Sequence, residues 1–108
     1  MKNFQISGYV GQNPELKESK DTTFTSLRIA VRSRREEPDW FWVAVFGKLA
    51  EIVAQHVSKG MVVSVDGDLR MNRYKDRERV ELIAQEVHFF GNGKEREDES
   101  AEAESIGI

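Results

Sequence analysis

A chain of 108 residues with 39% apolar content is enough for one domain and a tail, and association with copies of itself would add to the limited surface so small a domain buries. It has no cysteine, which excludes a disulfide framework and thiolate metal sites, and no apolar run long enough to span a membrane. The net charge of −3 is unevenly spread: from residue 92 onward six acids (Glu95, Glu97, Asp98, Glu99, Glu102, Glu104) meet only Lys94 and Arg96, which leaves residues 1–91 near neutral. Bases in that part gather at Arg28, Arg32, Arg34 and Arg35, and again at Arg70, Arg73, Lys75, Arg77 and Arg79, and such clusters suit phosphates locally.

Phe4, Ile6, Gly8 and Val10 alternate with Asn3, Gln5, Ser7 and Tyr9, the pattern of a strand with one buried face. Gly8 within it points to a bend or a close backbone approach. The first residues lack the continuous apolar run of a signal peptide, so a cytoplasmic protein is expected. Gly11 to Glu15 holds glycine, asparagine and proline, which favour a turn, and residues 16–22 read as a polar connection with room for a short paired segment.

Residues 23–34 read as the second strand. Leu27, Ile29 and Val31 face one way; Ser26, Arg28, Ala30, Arg32 and Arg34 face the other. Arginines side by side on one strand face repel unless an anion or aromatic faces cover them. Residues 35–38 form a short hairpin connection into the third strand, Asp39 to Phe46. One face of that strand carries Trp40, Trp42, Ala44 and Phe46, and the other Phe41, Val43 and Val45. The tryptophan face is too large and aromatic for ordinary wet surface, so another part of the chain, a second subunit or a flat ligand must cover it. If the second and third strands pair antiparallel, arginines and tryptophans share one face.

Gly47-Lys48 closes that strand, and residues 49–59 read as a helix with Leu49, Ile52, Val53 and Val57 at helical spacing and Lys59-Gly60 as its stop. Residues 61–66 form a fourth strand that runs on toward Tyr74, and 74–79 a charged hairpin tip. Residues 80–90 make the last strand; its alternation changes phase between Leu82 and Val87, which predicts a bulge near Ala84 to Glu86. The domain is expected to cover residues 1–91, with 92–108 a disordered acidic tail. An all-β domain of five strands with one helix between the third and fourth fits a Greek-key barrel of the OB type, which binds oligonucleotides across the face of strands two and three.

Gly8-Tyr9-Val10-Gly11-Gln12-Asn13-Pro14-Glu15, Trp40 through Phe46-Gly47-Lys48-Leu49-Ala50-Glu51, Lys59-Gly60, Gly67-Asp68-Leu69-Arg70 and Glu81-Leu82-Ile83-Ala84-Gln85-Glu86-Val87 together resemble the bacterial-type single-stranded-DNA-binding proteins. The resemblance implies an OB barrel, usually a homotetramer (a dimer is the alternative), that wraps single-stranded DNA with little sequence preference during replication, recombination and repair. It implies base stacking at Trp40, Phe46 and Tyr74 and backbone contact at Arg28, Lys48, Arg70 and Arg73. Trp42 falls where family members commonly carry a basic residue, and it reads either as a further stacking platform or as part of a hydrophobic interface. Arg32, Arg34 and Arg35 extend the phosphate-binding set. Where family members often carry a tryptophan near the end of strand two, this chain has Arg34-Arg35. The tail ends Ser105-Ile106-Gly107-Ile108 rather than in a proline and a phenylalanine after an acidic run, so any replication or repair proteins it recruits would differ.

Stacking on rings binds any base, at roughly 1–3 kcal/mol each, and cations follow the phosphates. The expected partner is therefore single-stranded DNA in a cytoplasmic, nucleoid-associated setting, with no cofactor. Two other readings remain at this point: an OB scaffold in a replication or restart assembly, and an RNA-binding module. No phosphate-binding glycine loop, nucleophile with a partner base or metal-ligand spacing points to an enzyme.

Overall fold

The computed structural model describes residues 2–92, without the side chains of Tyr74 and Asn92. The acidic segment expected to be a tail lies outside the described residues, apart from Asn92, the last residue of the final strand. The elements in order are β1 (Asn3–Val10), β2 (Lys17–Ser19), β3 (Thr22–Val31), β4 (Asp39–Phe46), α1 (Gly47–His56), β5 (Met61–Tyr74) and β6 (Arg77–Asn92). Neighbours run β1-β5-β6-β4-β3-β2, and β1 also pairs with β3. That last pairing closes five strands into a barrel and leaves β2 as a short flap on β3.

Closure depends on Gly8. A side-chain carbon there would run into the carbonyl oxygen of Ala30, and β1 crosses onto β3 at the next residues, with Tyr9 opposite Ala30 and Val10 opposite Ile29. The expected close backbone approach at this glycine is therefore what lets the barrel shut. β4 and β6 pair in parallel, with Val43 opposite Leu82 and Ala44 opposite Ile83, the one parallel contact among the described strands.

Period-two alternation supplies the core. Leu27, Ile29, Val43, Val45, Val63 and Val65 are fully buried inside the barrel, with Val10, Leu82 and Ala84 beside them. α1 packs against β3, β4 and β6 and contributes Ala50 and Val53 to the same core.

The helix spans Gly47 to His56, earlier at both ends than the expected 49–59. Its C-cap is Val57, whose backbone is extended and whose N–H donates to the Val53 carbonyl at 2.9 Å. Leaving the helix there turns the Val57 side chain into the core. Gly60, read as the helix stop, instead serves the turn into β5: its φ is +92° and its N–H donates to the Val10 carbonyl.

β3 stops at Val31, short of the expected Arg34, and Val31 faces Asp39 as the last pair with β4. Pro38 explains the early end. It has no N–H to give the ladder, so extending the pairing outward past Asp39 would forgo a hydrogen bond. The β5–β6 hairpin turns through Lys75 and Asp76, both at positive φ, the geometry of a two-residue type I′ loop. On β6 the pairing jumps from Glu86 opposite Asp66 to Ala84 opposite Gly67, so Gln85 is the extra residue. The bulge falls where the phase change predicted it, and it brings both Leu82 and Val87 to the core side.

Candidate nucleic-acid interface

The register between β3 and β4 decides what shares a face. Phe24 lies opposite Phe46, Ser26 opposite Ala44, Arg28 opposite Trp42 and Ala30 opposite Trp40. The alternate residues Leu27, Ile29, Val43 and Val45 are buried, so this set forms the outer wall. Trp40, Trp42 and Phe46 remain 44%, 54% and 46% exposed.

Arg28 stands between the two tryptophans. Its guanidinium carbon lies 4.1 Å from the ring centroid of Trp40 and 5.8 Å from that of Trp42, both within cation–π range. Its Nε is buried without a hydrogen-bond partner, and no carboxylate pairs with it among the described residues. The rings thus hold a cation that no acid neutralises. Trp40 is fixed from elsewhere as well: a side-chain carbon at Gly11 would lie 2.5 Å from the Trp40 Cζ3 atom. At the other end of the wall Phe24 and Phe46 form a tilted ring pair 6.3 Å apart.

The segment after β1 borders the wall as a pinned rim. The Gly11 N–H donates to the Arg28 carbonyl at 2.7 Å, the Thr25 hydroxyl to the Glu15 carbonyl at 2.7 Å, and the Lys59 N–H to Asn13 Oδ1 at 2.7 Å. Between rim and sheet lies a hollow of about 200 Å³ lined by Gln12, Asn13, Lys17, Phe24, Ser26 and Trp42 among others.

The predicted cations divide into groups. Arg28 is in the wall. Lys48 is exposed in the first turn of α1, two residues after Phe46, and that turn has no acid. Its charge adds to the positive end of the helix dipole. Arg32 and Arg34, expected at the outer end of the arginine strand, lie with Arg35 in the connection 32–38, because β3 ends first. Arg35 already pairs with Asp39 at 2.7 Å, an exposed contact worth little to stability. Arg70 and Arg73 sit on β5 an odd number of residues apart, so they face opposite sides of the hairpin. Arg70 has Asp68 at 3.8 Å and Arg73 has Glu78 at 3.3 Å. The Tyr74 side chain lies outside the described part; its backbone ends β5, opposite Arg77.

One wall residue was missed by sequence reading. Tyr9, on the polar side of β1 and 53% exposed, lies opposite Ala30, which in turn lies opposite Trp40. An aromatic among Asn3, Gln5 and Ser7 was the available signal, but only barrel closure brings it beside β3.

No three His, Asp or Glu side chains among the described residues come together as a metal site. No described helix is long and apolar enough to cross a membrane. A closed five-stranded barrel capped by one helix, with exposed rings and an unneutralised guanidinium across its second and third barrel strands, is an OB fold with a surface suited to stacking and phosphate attraction.

The model of the Single-strand binding protein family matches residues 1–90, and the chain belongs to that family, a non-enzymatic DNA-binding one. The single-stranded DNA-binding protein of Thermosynechococcus vestitus is 34% identical over 75 residues, covering 67% of this chain and 62% of that protein. The single-stranded DNA-binding protein of Xanthomonas axonopodis pv. citri is 30% identical over 100 residues, covering 80% of this chain and 56% of the other. The chain thus spans less than two thirds of the length of these relatives. The crystal structure of the SSB domain of a Synechococcus sp. protein shares the fold, with a TM-score of 0.68 at 20% identity over 82% of this chain and 94% of that one.

Proposed function

We propose that this chain binds single-stranded DNA with little sequence preference, stacking bases on Trp40, Trp42, Phe46 and Tyr74 while Arg28, Arg32, Arg34, Arg35, Lys48, Arg70 and Arg73 attract the phosphates. The observation that carries this is the Arg28 guanidinium held between two half-exposed tryptophans on one face of the barrel. Duplex DNA hides its bases in the stack, so such a face selects unpaired strands. Each stacked base contributes roughly 1–3 kcal/mol whatever its identity, and each neutralised phosphate releases counterions. Family membership and the names of the relatives support the same reading.

The wall would protect exposed strands during replication, recombination and repair, in the cytoplasm. Association with further copies is part of the proposal. Only Tyr9 and Val10 of β1 pair with β3, so the edge from Asn3 to Gly8 on that side stays open for a second copy. Titration with oligo(dT) while following tryptophan emission tests the reading. Emission should be quenched by oligo(dT) and not by duplex of the same length; flat emission during binding detected by anisotropy would remove the tryptophans from the contact. Matched DNA and RNA oligomers in competition separate DNA from RNA binding.

A further inference from the structure

We propose that Tyr9 is an additional base-stacking platform, and that the hollow between it and the connection 32–38 takes one more nucleotide of the bound strand, with Arg32 facing its phosphate. This rests on the single-strand-binding reading above and extends the strand's path past Trp40 onto β1.

Geometry is the first ground. Tyr9, Ala30 and Trp40 form one row across three adjacent strands on the outer face. At the usual strand spacing the outer two backbones stand roughly 10 Å apart. The residue between them is alanine, so no tall side chain separates the two rings. Tyr9 is 53% exposed, about as open as Trp42. The hollow beside it, about 170 Å³, is lined by Ala30, Arg32, Ser33, Pro38, Glu36 and Arg35 as well as Tyr9.

Charge is the second. Arg35 is engaged by Asp39, and Glu36 is exposed at the rim. Of the two arginines that line the hollow, Arg32 has no ion-pair partner among the described residues and meets a phosphate without first leaving an acid.

A second copy of the chain is the competing occupant, and the backbone argues against it. Tyr9 is paired on both sides, with Ala30 of β3 and Val62 of β5. Strand addition to the open edge of β1 would end at Gly8, before this residue. The ring is therefore continuous with the wall rather than with that edge.

The test uses the full chain with Tyr9→Leu, Tyr9→Phe and Arg32→Ala, against oligo(dT) of increasing length. Folding is checked by circular dichroism, and mass is measured in solution. Tyr9→Leu should weaken binding of the longer oligomers about 5- to 100-fold and leave the shortest binding oligomer unaffected, while Tyr9→Phe stays near wild type. Arg32→Ala should reduce the salt slope by about 0.7. Oligomers carrying 5-bromodeoxyuridine should photocross-link to the peptide holding Tyr9. Unchanged affinity for Tyr9→Leu at every length would overturn the proposal, as would a changed mass without a cross-link, which would assign Tyr9 to contact between copies. If wild-type protein ignores oligo(dT) altogether, the single-strand reading falls first. If wild type binds and Trp40→Ala weakens it while Tyr9→Leu does not, only the extra platform falls.

Discussion

Two outer faces of the same barrel rest on the same buried valines and carry opposite chemistry. Across β3 and β4 the outward rows are Ala30–Trp40, Arg28–Trp42, Ser26–Ala44 and Phe24–Phe46. Across β1, β5 and β6 they include Gln5–Asp66–Glu86 and Ser7–Ser64–His88. The first is aromatic with a bare cation. The second is polar, and it sets two carboxylates directly opposite one another, a pairing that disfavours any further negative charge. The inward residues of both are interchangeable in kind: Val43 and Val45 on one, Val63 and Val65 on the other. The core therefore fixes the barrel, and outward residues alone decide which wall a polyanion can approach.

Four changes test that contrast, in order of expected effect. Removing both rings with Trp40→Ala and Trp42→Ala should cost at least about 30-fold in oligo(dT) affinity, from two lost stacking contacts, with little change in thermal midpoint because both side chains are half exposed. An affinity within a few-fold of wild type would break the contrast outright.

Arg28→Ala comes next. It takes a cation from the wall and a support from Trp40, so affinity should fall about tenfold and the slope of log affinity against log salt should shrink by about 0.7. An unaltered slope would leave Arg28 as a prop for the ring and not a phosphate contact.

Gly11→Ala should act through Trp40 alone, since its added carbon meets that ring and the Arg28 carbonyl is farther, at 3.6 Å. Displacing the ring should weaken binding by a few-fold, on the order of 1 kcal/mol, and shift tryptophan emission of the free protein. The salt slope should not move, because no charge changes.

The smallest effect is expected on the other face. Asp66→Asn with Glu86→Gln should leave oligo(dT) affinity within about twofold, since neither carboxylate shares a row with Trp40, Trp42 or Phe46 and charge interactions through solvent are screened over a Debye length of about 8 Å at physiological salt. A large gain in affinity would mean that the strand also crosses this face, and the contrast between the two walls would need redrawing.

Much of this was legible beforehand, for local reasons. Alternation identified the buried and outward residues of β1, β3 and β4, and the phase change between Leu82 and Val87 located the bulge at Gln85. The errors were at boundaries where two local signals compete. Lys59-Gly60 has the form of a helix stop, yet burial of Val57 ends the helix earlier and Gly60 serves the next turn. The arginine alternation runs to Arg34, yet Pro38 withdraws the partner that a longer β3 needs.

By itself, then, the chain's order of residues determined which side chains point inward and which outward, because that alternation is set by the backbone at each strand. The tertiary structure alone decided which outward residues became neighbours. Tyr9 reaches the row of Trp40 only where β1 closes onto β3, and Arg28 comes between two rings only through the pairing of β3 with β4. Those adjacencies join segments distant along the chain, and no local periodicity encodes them.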